Sequence, residues 1–149
     1  MGHFAAGVTV LTTVLGERLH GITVSAFASL SLEPPMVLAC LEKKTVMHDL
    51  LLKSRRFAVN ILSEEDEAVS RYFADNSRLK GTEFTPGTYR AGSNGSPILL
   101  GATAFAEANV VAGHDGGDHT IFVGEVTNLG VLSERRPLVF YRGGYRSLS

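Results

Sequence analysis

Short runs of strand-forming residues, each bounded by turn residues, constrain the fold of this sequence more than any other feature. Residues 7–14 are rich in Val and Thr and roughly alternate, and residues 16–18 suit a hairpin connection to a second strand over residues 20–27. Pro34-Pro35 interrupts the ladder because neither proline donates a backbone hydrogen bond. The continuous apolar run over residues 36–41 then predicts a strand buried on both faces.

Two segments have helical patterns instead. Thr45 is predicted to cap a first helix, and Ser63 a second helix with the carboxylates of residues 64–66 in its first turn. The predicted apolar faces are Val46, Met47, Leu50 and Leu51 in the first helix, and Ala68, Val69, Tyr72 and Phe73 in the second.

The rest of the chain is read as strands joined by turns and one irregular stretch. Strands are predicted over residues 57–62, about 102–112, 119–132 and 137–141, with residues 76–97 as irregular surface, residues 114–118 as a turn and Gly143-Gly144 as the end of the last strand. Strands and helices do not alternate regularly, so a mainly β, antiparallel barrel with two or three peripheral helices is favoured over a doubly wound parallel sheet. A length of 149 residues is that of a single domain, 1–149.

Composition excludes several classes of protein. Fourteen basic residues balance fifteen acidic ones, so the net charge near −1 offers no reason to expect nucleic acid or an anionic membrane as partner. One cysteine cannot form an intrachain disulfide, and neither a signal peptide nor a run of about 18 apolar residues is present, so a cytoplasmic location is expected. The five histidines have no metal-ligand spacing, and no metal site is predicted.

Four hydroxyl residues stand at odd-numbered positions in the second predicted strand and its continuation: Thr23, Ser25, Ser29 and Ser31. Side chains two apart share a strand face, so Thr23 and Ser25 would present hydroxyls in one direction. Hydroxyls both donate and accept, which suits the edge of a heteroaromatic ring. A polar strand face in contact with solvent explains the same pattern.

A second candidate is the turn Glu42-Lys43-Lys44-Thr45. Two lysines precede a helix whose first amides point outward, and this combination is an anion site suited to a phosphate. A solvated basic turn is the alternative.

His119 begins a predicted strand beside Asp118. Its side chain can donate or accept and can change charge near neutral pH, which suits contact with a nicotinamide carboxamide or a proton-carrying role. A turn histidine with an ordinary structural hydrogen bond is the alternative. Cys40 lies inside an apolar run, where packing is expected to matter more than thiol reactivity.

These segments together resemble the flavin reductase-like family, whose members are often the reductase components of two-component flavin monooxygenases. The resemblance covers nearly the whole chain, and five motifs occur in the family's order. They are residues 4–13, residues 21–41 with Pro34-Pro35, residues 57–62, residues 117–126 and residues 141–145.

The resemblance implies a split β-barrel of the FMN-binding type that forms a homodimer with flavin sites near the subunit interface. Members begin with several more residues before the position of Phe4, so it also implies a truncated or unusual N-terminus. It implies flavin-ring contacts at Thr23, Val24, Ser25 and Ala26, ribityl and phosphate contacts at Cys40, Leu41, Lys44 and Thr45, further flavin contacts at Ala74 and Lys80, and a nicotinamide side formed by His119, Tyr141 and Tyr145.

The implied reaction is hydride transfer from NADH or NADPH to FMN or FAD, with reduced flavin supplied to a partner monooxygenase. His119 would position the nicotinamide and serve as proton donor. Two alternatives stay open: a non-catalytic flavin-binding module of the same fold, and a reductase of another diffusible acceptor such as a ferric or cobalt complex.

Overall fold

A computed structural model of the chain describes residues 1–75 and 84–148. Within them are twelve strands and two helices. The strands are β1 Ala6–Gly7, β2 Thr9–Leu15, β3 Arg18–Val24, β4 Phe27–Leu32, β5 Pro35–Glu42, β6 Arg56–Ile61, β7 Tyr89–Ala91, β8 Pro97–Leu99, β9 Ala104–Gly116, β10 His119–Val131, β11 Leu138–Tyr141 and β12 Gly144–Ser147; the helices are α1 Val46–Ser54 and α2 Glu67–Ala74. The mainly β, antiparallel class predicted from the sequence is confirmed.

Seven strands form one antiparallel sheet in the order β3-β2-β6-β9-β10-β5-β4. Its two edge strands, β3 and β4, follow each other in the chain and are separated only by Ser25 and Ala26. So short a connection requires the sheet to curl until its edges approach each other. The backbone N–H of Cys40 donates to the carbonyl of Ala26 at 2.9 Å, which ties this connection to β5.

Two smaller sheets complete the fold. Strands β1, β11 and β12 form a three-stranded sheet, and β7 pairs with β8. The apolar side chains form two main clusters. One packs α1, through Met47 and Leu51, against Phe57 and Phe122 of the large sheet. The other packs Phe73 of α2 against residues that include Val8, Leu62 and Phe84. The helices therefore fix two different parts of the sheet.

Several predicted boundaries differ from the structure. The strand over residues 20–27 is two strands, because the chain leaves the ladder at Ser25 and Ala26 and enters β4 on the opposite edge. Residues 36–41 are not buried on both faces: Val37, Ala39 and Leu41 are buried, whereas the alternate residues are half-buried.

The second helix does not begin at Ser63. The carboxylate Oδ2 of Asp66 accepts from the Ser63 backbone N–H at 2.7 Å, and the Ser63 hydroxyl accepts from the Glu65 N–H at 3.2 Å. These bonds form a separate turn, and α2 begins at Glu67. The local polar groups satisfy each other, so the acidic cluster closes a turn before the helix starts.

Two other predictions about irregular segments and strand ends also differ from the structure. The stretch over residues 76–97, where it is described, contains β7 and a buried segment at Ser96 and Pro97. The strand that ends before Gly143-Gly144 is not the last one in the chain. A turn with Gly143 at φ 72° leads into β12, which pairs with β11.

Asn60 joins three strands inside the protein. Its amide Nδ2 donates to the Val10 carbonyl at 3.1 Å, and its Oδ1 accepts from the Leu99 N–H at 2.8 Å. The residue is fully buried. Buried amides that satisfy backbone groups on neighbouring strands fix the register of those strands. The asparagine of the 57–62 motif is therefore structural.

Replacing Asn60 with leucine should lower the free energy of unfolding by about 2–4 kcal/mol, because the carbonyl of Val10 and the N–H of Leu99 would be buried without this partner. Urea unfolding followed by circular dichroism measures the change. Asn109, which is exposed on β9, gives a matched control, and Asn109→Leu should change stability by less than about 0.5 kcal/mol. Equal stability of the two variants would contradict the structural role of Asn60.

Candidate functional site

A cleft of about 230 Å³ opens where the two edges of the large sheet meet. Three parts of the chain form it: the end of β3 with the two residues after it, the end of β5 with the start of α1, and the first residue of β10. Its lining residues are Ile22, Thr23, Val24, Ser25, Ala26, Cys40, Leu41, Glu42, Thr45 and His119. The fold thus brings together three segments that the sequence analysis treated separately.

The hydroxyls of Thr23 and Ser25 differ in their surroundings. Thr23 Oγ1 donates to the carbonyl of Ser70 on α2 at 2.6 Å, so this hydroxyl anchors the cleft wall to the helix. Ser25 is exposed and lies just past the end of β3. The prediction that both residues belong to one strand is wrong, because β3 ends at Val24. Ser29 and Ser31 lie on β4, outside the cleft lining, with a register shift between them.

The start of α1 forms the second wall. Thr45 is the N-cap, as predicted, and its hydroxyl accepts from the His48 N–H at 3.3 Å and donates to the Glu42 carbonyl at 2.8 Å. Lys44 has an 82% exposed side chain, and its Nζ lies 3.1 Å from Oε1 of Glu42. The first amides of a helix carry partial positive charge. This turn therefore combines a helix start with an accessible ammonium group, an arrangement suited to an anion.

The Lys43 side chain is less available to an anion than that of Lys44. Its ammonium group pairs with the carboxylate of Asp115 near the end of β9. The hydrogen bond and charge of Lys43 lower the pKa of Asp115. The backbone N–H of Lys43 donates to the Asp118 carbonyl at 2.8 Å. Lys43 thus holds the β9–β10 hairpin against the turn, and Lys44 is the more available cation.

His119 forms the third wall. It is half-buried, and it pairs with Glu42 across the ladder between β10 and β5. Its Nδ1 lies 2.7 Å from the Asp118 carboxylate. The hydrogen bond and charge of His119 lower the pKa of Asp118. Because Asp118 holds Nδ1, Nε2 is the ring nitrogen left for a ligand in the cleft.

Cys40 also lies in the cleft lining, and its thiol is half-buried. Its backbone N–H donates to the Ala26 carbonyl and so joins β5 to the connection between the two sheet edges. The cleft contains two residues that the sequence analysis did not assign, Ile22 and Glu42. Ile22 adjoins Thr23 and Glu42 adjoins Leu41 in the sequence, and this adjacency was the available signal.

Of the predicted site residues that the structure describes, four do not line this cleft: Lys44, Ala74, Tyr141 and Tyr145. Ala74 is exposed at the end of α2, and Tyr141 lies on β11. The Tyr145 hydroxyl is 2.6 Å from the hydroxyl of Ser70, and its ring lies beneath the guanidinium of Arg71 at 4.9 Å. Lys80 lies outside the described residues.

A larger cavity, about 650 Å³, lies between α2 and the segments near residues 84–88 and 99–102. Its walls are mainly apolar, with Tyr72 and Phe73 on the helix side, and it shares no lining residue with the cleft. The polar groups assigned from the sequence converge on the smaller cleft, which is therefore the candidate site. In residues 1–75 and 84–148, no group of three His, Cys, Asp or Glu side chains could hold a metal ion. Neither described helix is long and apolar enough to cross a membrane.

Comparison with known proteins gives consistent results. The profile of the flavin reductase like domain matches residues 1–149. The chain is 37% identical over 150 residues to the reductase subunit HsaB of a flavin-dependent monooxygenase from Rhodococcus jostii RHA1, covering 99% of this chain and 74% of that protein. It is 40% identical over 147 residues to an NADH-dependent FAD reductase from Streptomyces globisporus, covering 97% of this chain and 80% of that protein.

A solved structure agrees closely with the fold. The NADH:FAD oxidoreductase SgcE6 of Streptomyces globisporus C-1027, in complex with NAD and FAD fragments, superposes with a TM-score of 0.92 and 38% identity. The superposition covers 99% of this chain and 88% of that one. The match therefore extends over both the cleft and the sheets around it, and the chain belongs to the flavin reductase-like domain family.

Proposed function

We propose that this NAD(P)H-dependent flavin reductase uses NADH to reduce FAD or FMN and delivers the reduced flavin to an oxygenase component. The observation that carries the proposal is the convergence in one cleft of Thr23–Ala26, Cys40–Glu42, Thr45 and His119. Relatives that are named NADH-dependent reductases and monooxygenase reductase subunits support both halves of it. We further propose a single split-barrel domain over residues 1–149, acting in the cytoplasm; one cysteine suits a reducing compartment.

The chemistry of the cleft fits a flavin. An isoalloxazine ring needs apolar walls and hydrogen-bonding groups at its edge, and Ile22, Val24 and Leu41 accompany the exposed hydroxyl of Ser25. A flavin phosphate needs donors and positive charge. The start of α1 and the ammonium of Lys44 supply them.

Each wall then has a distinct task. Residues Thr23–Ala26 orient the ring, with Thr23 fixed to α2 through its bond to the Ser70 carbonyl. The turn at Lys44 and Thr45 binds the phosphate, which FMN and FAD share. His119 orients the nicotinamide through Nε2, while Asp118 fixes the ring at Nδ1.

When bound, the two cofactors would supply the redox chemistry, which is hydride transfer from the nicotinamide to the flavin. The protein holds donor and acceptor together, which makes the encounter effectively intramolecular. No side chain is required as a nucleophile.

Purified protein should therefore oxidise NADH only when flavin is added, with a rate that saturates as flavin concentration rises. Loss of nicotinamide absorbance follows the reaction. Oxidation that is independent of added flavin in a flavin-free preparation would contradict the proposal.

We also propose that the protein works as a homodimer. The cleft, at about 230 Å³, is smaller than the 300–1,000 Å³ usual for ligand sites, so one protomer encloses only part of a flavin. Exposed apolar residues lie at the end of the sheet where β5 begins: Leu30 and Leu32 on β4, and Leu129 and Val131 on β10. Leu32 is 89% and Val131 75% exposed. A second copy of this chain is the occupant that would cover them.

Leu32→Glu should raise the dissociation constant of the dimer at least ~30-fold, because burying one leucine contributes about 1.5–3 kcal/mol and a buried carboxylate opposes association. Size-exclusion chromatography with light scattering measures the shift to monomer. Leu52→Glu is the matched control, because Leu52 is a 50% exposed leucine on α1, and this variant should leave the mass unchanged. A wild-type protein that is monomeric at micromolar concentration would overturn the dimer.

A further inference from the structure

His48 lies behind the cleft and joins two of its walls. It is on the first turn of α1, and its side chain reaches across to β10, where Nε2 lies 2.7 Å from the hydroxyl of Thr120. Thr120 is the neighbour of His119 and pairs with Leu41 across the ladder. One side chain therefore connects the phosphate-side turn with the strand that carries the nicotinamide-side histidine.

We propose that His48 is a positioning residue for the flavin reductase reaction: through Thr120 it fixes the distance between the start of α1 and His119. The proposal rests on the function assigned above. His48 does not line the cleft. It acts by holding the residues that do.

The environment of His48 favours a role for its hydrogen bond to Thr120 over a role in packing alone. The side chain is about nine-tenths buried, its ring packs edge-on against Phe122 at 5.3 Å between centroids, and its Nδ1 has no hydrogen-bond partner among the described residues. A buried polar atom without a partner lowers stability. An apolar residue of similar volume would pack against Phe122 without that cost, but it could not bond to Thr120.

The rest of the connection between these walls is made by the backbone and by exposed groups. The Lys43 N–H bonds to the Asp118 carbonyl, and the Lys43–Asp115 ion pair is exposed. An exposed pair contributes little to rigidity. Within residues 1–75 and 84–148, the hydrogen bond between His48 and Thr120 is the part-buried side-chain bond that spans the two walls.

The test compares His48→Leu, Thr120→Val and the double variant. Each should raise the KM for NADH about five-fold, the effect of losing one neutral hydrogen bond, with a smaller change in kcat. The double variant should be no worse than either single one, because all three lack the same bond. His48→Gln, which retains a donor, should recover part of the loss.

Ser54→Ala is the matched control. Ser54 lies at the opposite end of α1, where its hydroxyl is 2.7 Å from that of Thr13 on β2, so this variant also removes a bond that docks the helix. It should lower the Tm without raising the KM. Additive effects in the double variant, or a KM for His48→Leu and Thr120→Val equal to that of Ser54→Ala, would overturn the proposal. Absence of NADH oxidation by the wild-type protein would instead reject the underlying function.

Discussion

Replacing His119 with alanine should raise the KM for NADH on the order of 10- to 100-fold while changing the Kd for flavin less than about two-fold. The range is that of a lost hydrogen bond involving a charged group, worth about 1.5–3 kcal/mol. The effect should fall on NADH because His119 stands on β10, on a different element from the proposed ring-binding residues at the end of β3, and Asp118 holds Nδ1 so that Nε2 is left for the nicotinamide.

The pH dependence of this contact follows from the carboxylate. The lowered pKa of Asp118 means that its charge, and its bond to His119, are fully present at neutral pH and are lost as acid takes the solution below the ordinary carboxyl range. Asp118→Asn should therefore weaken NADH binding at pH 7 and flatten the acid limb of the kcat/KM profile. Steady-state kinetics with fixed, saturating flavin measure both effects.

His114→Ala is the matched control for His119→Ala. His114 is exposed on β9, pairs with Ile121 and does not line the cleft. Its replacement should leave both constants unchanged. An unchanged KM in His119→Ala, or an equal change in His114→Ala, would remove His119 from the site.

Replacing Lys44 with glutamate should raise the Kd for flavin roughly 30-fold. The variant changes the charge beside the start of α1 by two units, and each unit charge contributes about 1 kcal/mol at 4 Å in water. Glu42 already lies 3.1 Å from the Lys44 ammonium, so the new carboxylate would also leave Glu42 without its cation. Flavin fluorescence titration gives the Kd.

Salt provides a second readout for the same variant. The wild-type affinity should fall as ionic strength rises, because an exposed ammonium is screened, and the Lys44→Glu variant should lose most of that dependence. Lys53→Glu, in the last turn of α1, is the control because it makes the same charge change at the far end of the helix. Equal weakening in both variants would indicate a general charge effect and would contradict a phosphate site at Lys44.

The parts of the fold that follow from local patterns could be predicted. Thr45 caps α1 because a side-chain oxygen can reach the third amide of a helix wherever the chain places it. The β9–β10 hairpin follows from two long strand patterns around a glycine-rich turn, although β9 extends to Gly116 and the turn is residues 117–118 rather than the predicted 114–118. Ser63 failed as a cap because Asp66, three residues later, bonded back to it and closed a turn first.

The cleft and the contacts of its side chains depend on tertiary structure and could not be predicted from local patterns. The sequence could not reveal that Ser25 and Ala26 join opposite edges of one sheet, and this connection is what forms the cleft. Thr23 appears equivalent to Ser25 by spacing, yet its hydroxyl bonds to Ser70, a residue 47 positions away. Tyr145 is linked to the same helix through the Ser70 hydroxyl. The places of Tyr145 and Tyr141 on the nicotinamide side remain predictions, as do the flavin contacts of Ala74 and Lys80.

The central claim is that one cleft holds flavin and nicotinamide for hydride transfer. It is tested most directly by following nicotinamide absorbance with the wild-type protein, using FMN or FAD with NADH or NADPH in all four combinations. The account predicts oxidation of at least NADH, dependent on added flavin and supported without any ferric or cobalt acceptor. Tight flavin binding with no oxidation of either nucleotide would contradict it and identify the protein as a flavin-binding module.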